Sequence, residues 1–189
     1  QSAQRLAGGA SFHIGRIDMV ANTGTYLDAP YHFHESGADV SQVPVEQLVA
    51  LPCVVVDASG TRAIPPEVLP HDIDLRDAAV LFRTNWSSRW RTPAYAVGSP
   101  YLTRDTVTRL REAAPALVGI DALNVDAVED LSRPAHHGLL GDGILIVEHM
   151  TNLDIVPATG ARFTALPAPV AGMGTMPVRA VAVLPDTLA

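Results

Sequence analysis

The sequence contains no lysine, and its basic residues are 13 arginines against 20 acidic residues. The resulting net charge of -7 argues against a basic nucleic-acid-binding surface, so no nucleic-acid partner is expected. Cysteine occurs once, as Cys53, which excludes a disulfide within the chain. No apolar run approaches the roughly 20 residues that cross a bilayer. We therefore expect no membrane partner and a cytoplasmic location.

The composition favours one compact α/β domain over residues 1–189. Hydrophobic residues make up 48% of the 189 positions, which is enough for one core and too little for two. Because the chain begins at Gln1 and not at methionine, we expect the N-terminal boundary of this domain to be incomplete.

Short apolar runs at 52–56, 79–82, 117–120 and 144–147 predict buried strands of a mixed central sheet. Looser alternation predicts further strands at 12–20 and 178–183. Thr103 precedes an amphipathic pattern that predicts a capped helix ending near Ala113. A helical turn is predicted over 134–140. His34 follows His32 by two residues and would share its face on an extended strand.

The most informative segment is 22–32, in which a glycine, a carboxylate and an imidazole lie close together in sequence. Gly24 permits a tight turn or a close approach to a ligand, and Pro30 stiffens the chain between Asp28 and His32. A second group lies far downstream, where the strand at 144–147 should present Glu148 at its carboxyl end. Ligands of open sheets gather at such strand ends, so both segments are predicted to meet in one pocket.

Segment 22–32 resembles the signature of the cyclase family of metal-dependent amide hydrolases, which includes bacterial kynurenine formamidases and isatin hydrolases. That signature reads His-x-Gly-Thr-His-x-Asp-x-Pro-x-His. The chain retains Gly24, Thr25, Asp28, Pro30 and His32 but has Asn22 and Tyr26 where the family has metal-binding histidines. Later stretches at 82–86, 119–121 and 148–153 extend the resemblance over nearly the whole chain.

The resemblance implies the swivelling β/β/α fold of the family, a small-molecule substrate and a homodimer. It implies that a divalent metal, Zn or Mn, is held by Asp28, His136 and Glu148, with His136 fitting the spacing better than His137. Because Asn22 and Tyr26 replace usual ligands, the metal is expected to be weakly held or absent. The residues expected to act in catalysis are His32, Glu148 and Tyr26, and those expected to bind substrate are Asn22, Thr25 and Trp86.

Three functions remain open at this point. The first is a hydrolase of a small amide, lactam or lactone that acts through a metal-activated or base-activated water. This enzyme would act on carbon–nitrogen bonds other than peptide bonds. The second is a metal-free acid–base cyclase or isomerase, and the third is a non-catalytic relative that binds a small molecule.

Overall fold

The structure, a computed structural model, describes residues 2–5 and 11–185 of the chain. The strands are β1 (Ser2–Arg5), β2 (Ser11–Ile14), β3 (Tyr26–Asp28), β4 (Leu51–Asp57), β5 (Ala63–Ile64), β6 (Ala79–Arg83), β7 (Tyr101–Leu102), β8 (Leu117–Ile120), β9 (Leu145–Glu148), β10 (Arg162–Thr164), β11 (Thr175–Pro177) and β12 (Val181–Val183). The α-helices are α1 (Arg104–Ala113) and α2 (Pro134–Gly141). Short 3-10 turns connect several of these elements, including one at Pro30–His32.

One sheet of eight strands has the order β11-β3-β9-β8-β6-β4-β10-β12. Its central strands β9, β8, β6 and β4 are parallel to one another. Antiparallel strands extend the sheet on both sides, β3 and β11 on one and β10 and β12 on the other. The predicted mixed central sheet is therefore confirmed.

The sheet is curled, as the connection between its two edge strands requires. Strands β11 and β12 lie at opposite edges but are separated in sequence only by residues 178–180. A trans backbone advances at most about 3.6 Å per residue, so the two edges must approach each other. The result is the curled α/β architecture expected from the resemblance.

The central strands are buried on both faces, which explains their nearly continuous apolar sequence. In β4, Val54 and Val56 face the core layer that contains helices α1 and α2. Cys53 and Val55 face a second apolar layer on the other side of the sheet. The strands predicted at 52–56, 79–82, 117–120 and 144–147 are confirmed as β4, β6, β8 and β9, to within one residue at each end.

Helix α1 begins and ends as its sequence predicts. The Thr103 side chain accepts a hydrogen bond from the backbone N–H of Thr106, which satisfies one free donor of the first turn. Ala114, with φ of 51°, takes the left-handed conformation that ends many helices. The predicted turn at 134–140 is confirmed as the single short helix α2.

Three local predictions are wrong. The strand predicted at 12–20 ends at Ile14, because residues 15–20 are exposed and find no partner strand. The strand predicted at 178–183 begins only at Val181, since residues 178–180 link the two sheet edges. His34 does not share an extended strand with His32, because the backbone there forms a 3-10 turn. In the described part of the chain, no helix is long and apolar enough to span a membrane.

Candidate active site

The segment that carries Asp28 and His32 is fixed by its neighbours in the sheet. Strand β3 is wholly buried, and Pro30 at its end opens the 3-10 turn that carries His32. Gly174 packs against this turn so closely that a Cβ atom there would lie 2.6 Å from the Cα of His32. Only glycine permits this approach, so the residue before β11 helps to define the position of His32.

Four titratable side chains that are distant in sequence meet at this point. His32 Nε2 lies 3.8 Å from Asp28 Oδ1, and His136 Nε2 lies 3.7 Å from Asp28 Oδ2. The same His136 nitrogen lies 3.7 Å from Glu148 Oε1. We call Asp28, His32, His136 and Glu148 the acidic cluster. The prediction that the two sequence segments share one pocket is consistent with these distances.

Asp28 is the centre of this cluster and is left without conventional partners. Its side chain is completely buried, yet no described residue donates a hydrogen bond to Oδ1 or Oδ2. A buried carboxylate without a hydrogen bond is costly, so a cation fits this position. Among the described residues, Asp28, His32 and His136 offer ligand atoms within 4.8 Å of one another, which suits a divalent ion.

His136 is held from behind by a second buried carboxylate. Asp126 Oδ2 lies 2.7 Å from His136 Nδ1 and also accepts the backbone N–H of His136. Asp126 Oδ1 accepts the backbone N–H of Ala135, so one carboxylate caps helix α2 and orients the imidazole. Burial alone would lower the pKa of His136, but Asp126, Asp28 and Glu148 together raise it to about 10.

Tyr26 and Glu148 are directly opposite each other in the antiparallel pair of β3 and β9. The Tyr26 hydroxyl donates a 2.6 Å hydrogen bond to Glu148 Oε2, and the backbone N–H of Val125 donates to Oε1. Burial raises the pKa of Tyr26 far above its ordinary value, and the charge of Glu148 raises it further. Burial also raises the pKa of Glu148, to about 7, with a further contribution from Asp28. Tyr26 is therefore a neutral phenol that serves as a donor.

The ligand set expected from sequence differs in one member from the compact group of Asp28, His32 and His136. Asp28 and His136 are common to both, but the third residue of the compact group is His32, whereas the sequence suggested Glu148. Both Glu148 oxygens already accept a hydrogen bond, from Tyr26 and from Val125. The assignment of Glu148 as a metal ligand stays a prediction.

The residues expected to bind substrate make contacts with other groups of the protein. Asn22 Oδ1 accepts a 3.2 Å hydrogen bond from the Thr175 hydroxyl, and Thr25 donates a 2.8 Å hydrogen bond to the backbone carbonyl of His149. The Trp86 indole N–H donates to the Tyr95 carbonyl, and the Arg89 guanidinium lies 3.9 Å from the Trp86 ring centroid. Their roles toward a substrate stay predictions.

Two residues beside the cluster were not assigned a role from sequence. Asp126 lies in a loop, and no local sequence pattern indicates a role for it. Its hydrogen-bond partners at the start of α2 can be identified only in the folded chain. His149 directly follows Glu148, and its ring lies 5.4 Å from that of Tyr26, centroid to centroid. The sequence signal for His149 is its position directly after Glu148, an expected site residue.

The family model described as Putative cyclase matches residues 4–127, about two thirds of the chain. The chain belongs to the cyclase family. Among curated members of that family, it is 33% identical over 188 residues to the kynurenine formamidase of Salinibacter ruber, with 95% of this chain and 84% of that protein covered.

Solved structures of other family members have the same fold. Isatin hydrolase A from Labrenzia aggregata, bound to benzyl benzoate, is similar with a TM-score of 0.80 and 29% identity, over 95% of this chain and 78% of that one. A structure named as a potential metal-dependent hydrolase with cyclase activity gives a TM-score of 0.77 and 30% identity, over 95% and 85% of the two chains. The expected family and fold are thus confirmed.

Proposed function

We propose that the acidic cluster hydrolyses the amide bond of a small N-formyl aryl amine or of an aryl lactam. The chain is a hydrolase of carbon–nitrogen bonds other than peptide bonds, as relatives named kynurenine formamidase and isatin hydrolase indicate. The observation that carries the proposal is the buried, unpartnered carboxylate of Asp28 between two imidazoles.

A divalent cation, Zn or Mn, is proposed to bind Asp28 and His136, next to His32. When bound, such an ion supplies a Lewis acid that polarises a carbonyl and makes a water molecule more acidic. Tyr26 offers a neutral hydroxyl whose proton is directed at Glu148, and Asn22 offers only a neutral amide oxygen. Since neither residue supplies an imidazole or an anion, we expect the ion to be weakly held and exchangeable.

His32 is proposed to move the proton between water and the leaving amine. Its side chain is 30% exposed whereas that of Asp28 is 0%, so His32 connects the cluster to solvent. Burial lowers the pKa of His32, which favours the neutral imidazole that can accept a proton.

Glu148 and Tyr26 are proposed to act as one unit. The raised pKa of Glu148, about 7, suits a carboxyl group that holds a proton during part of the reaction. Tyr26 fixes one oxygen of that carboxyl group, and the Val125 N–H fixes the other. Tyr26 therefore acts through Glu148 and is better described as a positioning residue than as a donor to the substrate.

The direct test is hydrolysis of three substrates: formanilide, isatin and an unsaturated lactone. We expect turnover of formanilide or isatin, loss of turnover after dialysis against a chelator, and recovery when Mn²⁺ or Zn²⁺ is added. Elemental analysis of the purified protein should find less than one equivalent of metal. Turnover unaffected by the chelator would support metal-free acid–base chemistry, and no turnover of any substrate would support a binding protein.

We also propose that the protein forms a homodimer in the cytoplasm, as the resemblance implies. The segment 13–20 is exposed along its length and includes the apolar residues Ile14, Ile17, Met19 and Val20. Exposed apolar segments of this kind commonly become buried against a partner. Light scattering coupled to size-exclusion chromatography would give the oligomeric state, and a monomer at micromolar concentration would contradict the proposal.

A further inference from the structure

Three aromatic or heteroaromatic side chains form a continuous cluster next to Tyr26. The Tyr95 hydroxyl lies 2.9 Å from His149 Nδ1, and the centroids of these two rings are 5.7 Å apart. Trp90 packs edge-on against both, with its ring centroid 5.0 Å from that of Tyr95 and 5.9 Å from that of His149. We call Trp90, Tyr95 and His149 the aromatic cluster.

The backbone at His149 has an uncommon conformation that hydrogen bonds hold in place. His149 has φ of 56°, in the left-handed region that residues other than glycine adopt uncommonly, although histidine does so more often than most. Its carbonyl accepts the Thr25 hydroxyl, and its N–H donates to the Ala122 carbonyl. Strained residues that surrounding contacts fix in this way are concentrated at functional sites.

The loop that carries Trp90 is fixed in a similar way. Arg91, which follows Trp90, also has a positive φ of 64°. The Trp90 backbone N–H donates to the Ser87 carbonyl, and the nearby Tyr95 carbonyl accepts the Trp86 indole N–H. The position of Trp90 beside His149 is thus defined by the fold of the loop.

The aromatic cluster is continuous with the acidic cluster through Tyr26. The Tyr26 ring contacts His149, and the Tyr26 hydroxyl bonds to Glu148. Tyr95 is only 7% exposed, whereas Trp90 is 45% exposed. A tryptophan that shows nearly half of its surface to solvent, beside a buried row of aromatic rings, presents a flat apolar face at the edge of the site.

The chemistry of the aromatic cluster complements that of the acidic cluster. The Trp90 indole carries no charge, and burial raises the pKa of Tyr95, so its phenol is neutral near pH 7. Neutral aromatic rings attract another planar ring through offset or edge-to-face contacts, and these contacts discriminate against a saturated ring of similar size. An amide whose nitrogen or carbonyl carries an aryl group could then place its polar end at Asp28 and its ring at Trp90.

We propose that Trp90, Tyr95 and His149 form the subsite that binds the aryl ring of the substrate, with Trp90 as the residue that determines specificity. This inference rests on the proposed function for the identity of the reacting bond, but binding of the ring does not depend on turnover. It differs from the sequence-based expectation, which assigned substrate contact to Trp86.

The test uses two amides that differ only in the ring, benzamide and cyclohexanecarboxamide. Calorimetric titration of the wild-type protein should show roughly five-fold tighter binding of benzamide. Trp90→Leu, which keeps apolar volume but removes the planar ring, should abolish this preference, and Trp90→Phe should retain most of it. Val97→Ala, an exposed change in the same loop, serves as the matched control.

A kinetic measurement separates this proposal from the proposed function. The ratio of kcat/KM for formanilide to that for N-cyclohexylformamide should fall roughly five-fold in Trp90→Leu, because a ratio cancels any general loss of folded protein. If neither the formamides nor isatin is hydrolysed, the proposed function is wrong and the titrations alone decide on the subsite. Equal binding of the two carboxamides, no binding of benzamide, or a preference unchanged in Trp90→Leu would overturn the subsite.

Discussion

Tyr26 and Glu148 face each other across strands β3 and β9, and the Tyr26 hydroxyl donates a 2.6 Å hydrogen bond to the Glu148 carboxyl group. At position 26 the family signature has a histidine and this chain has a tyrosine, whose phenol donates a hydrogen bond. The phenol satisfies one oxygen of a buried carboxyl group, and the Val125 N–H satisfies the other. The replacement of histidine by tyrosine at position 26 is one reason why we expect weak metal binding.

Restoring both signature histidines should strengthen zinc binding. The double variant Asn22→His with Tyr26→His adds two imidazoles beside Asp28, and we expect zinc affinity to rise by more than about 100-fold, since even residues that only support ligands contribute 10- to 100-fold. Competition with a chromophoric chelator would measure this affinity. The control is Tyr26→Phe, which removes the donor without adding a ligand. A double variant no better than the parent would contradict the metal assignment.

His32→Ala should remove turnover without unfolding the protein. A positioned acid or base contributes about 100-fold or more to the rate, and the partly exposed His32 side chain contributes little to the core. Steady-state assays on formanilide and a thermal melt would measure the two effects. His34→Ala is the matched control, since His34 lies outside the acidic cluster and its Nε2 is 3.1 Å from the backbone carbonyl of His137. Equal rates in the two variants would remove His32 from the reaction.

Strand β9 and helix α1 could be predicted because the sequence patterns that indicate them are local. Strand β9 has a short apolar run that ends at Glu148, and helix α1 has a capping threonine and a periodic apolar face. These features depend on residues close in sequence. The prediction of a strand over 12–20 failed because a strand also needs a partner strand, which the alternation in its own sequence does not reveal.

The finer structure of the site depends on contacts between distant segments. Asp126 is a single acid in a loop, and its three hydrogen bonds to the start of α2 exist only in the folded chain. Sequence alone could not distinguish Trp86 from Trp90, since both are in one loop. The two tryptophans have different contacts in the fold, because Trp86 bonds to the Tyr95 backbone whereas Trp90 packs against the His149 ring, and the role of Trp86 toward a substrate stays a prediction.

The ion pair of Asp57 and Arg83 should make stability depend on pH. The Arg83 guanidinium, 2.6 Å from Asp57, lowers the pKa of this carboxyl group from 3.8 to about 2, together with hydrogen bonds from the side chain and backbone N–H of Ser59. A lowered pKa gives stability that is present above the unfolded value and is lost as the pH falls through the folded value. The wild type should therefore be slightly more stable than Asp57→Asn above pH 4, with the difference shrinking below it.

Urea denaturation of the wild type and Asp57→Asn at several pH values between 7 and 3 would measure this difference. Both partners are partly exposed, so the effect should be small and should weaken with added salt. A stability difference between the two proteins that grows as the pH falls would contradict the expected direction of the pH dependence.

Asp126→Ala should destabilise the protein and disorder His136. The substitution leaves the backbone N–H groups of Ala135 and His136 and the Nδ1 of His136 without their buried acceptor. Loss of a helix cap together with a buried hydrogen bond costs about 2–4 kcal/mol, which a urea titration would measure. Asp126→Asn, which keeps one amide oxygen as an acceptor, should lose less.

The matched control for Asp126→Ala is Asp130→Ala, four residues further along the same loop. Asp130 forms an exposed ion pair with Arg104, so its loss should cost less than about 1 kcal/mol. The ring nitrogen signals of His136 in a ¹⁵N NMR spectrum supply a second readout, which should change in Asp126→Ala and not in Asp130→Ala. If the two variants are equally stable and leave those signals unchanged, Asp126 does not position His136, and the orientation of the imidazole toward Asp28 must come from the packing of Phe33 on its ring, with centroids 4.7 Å apart.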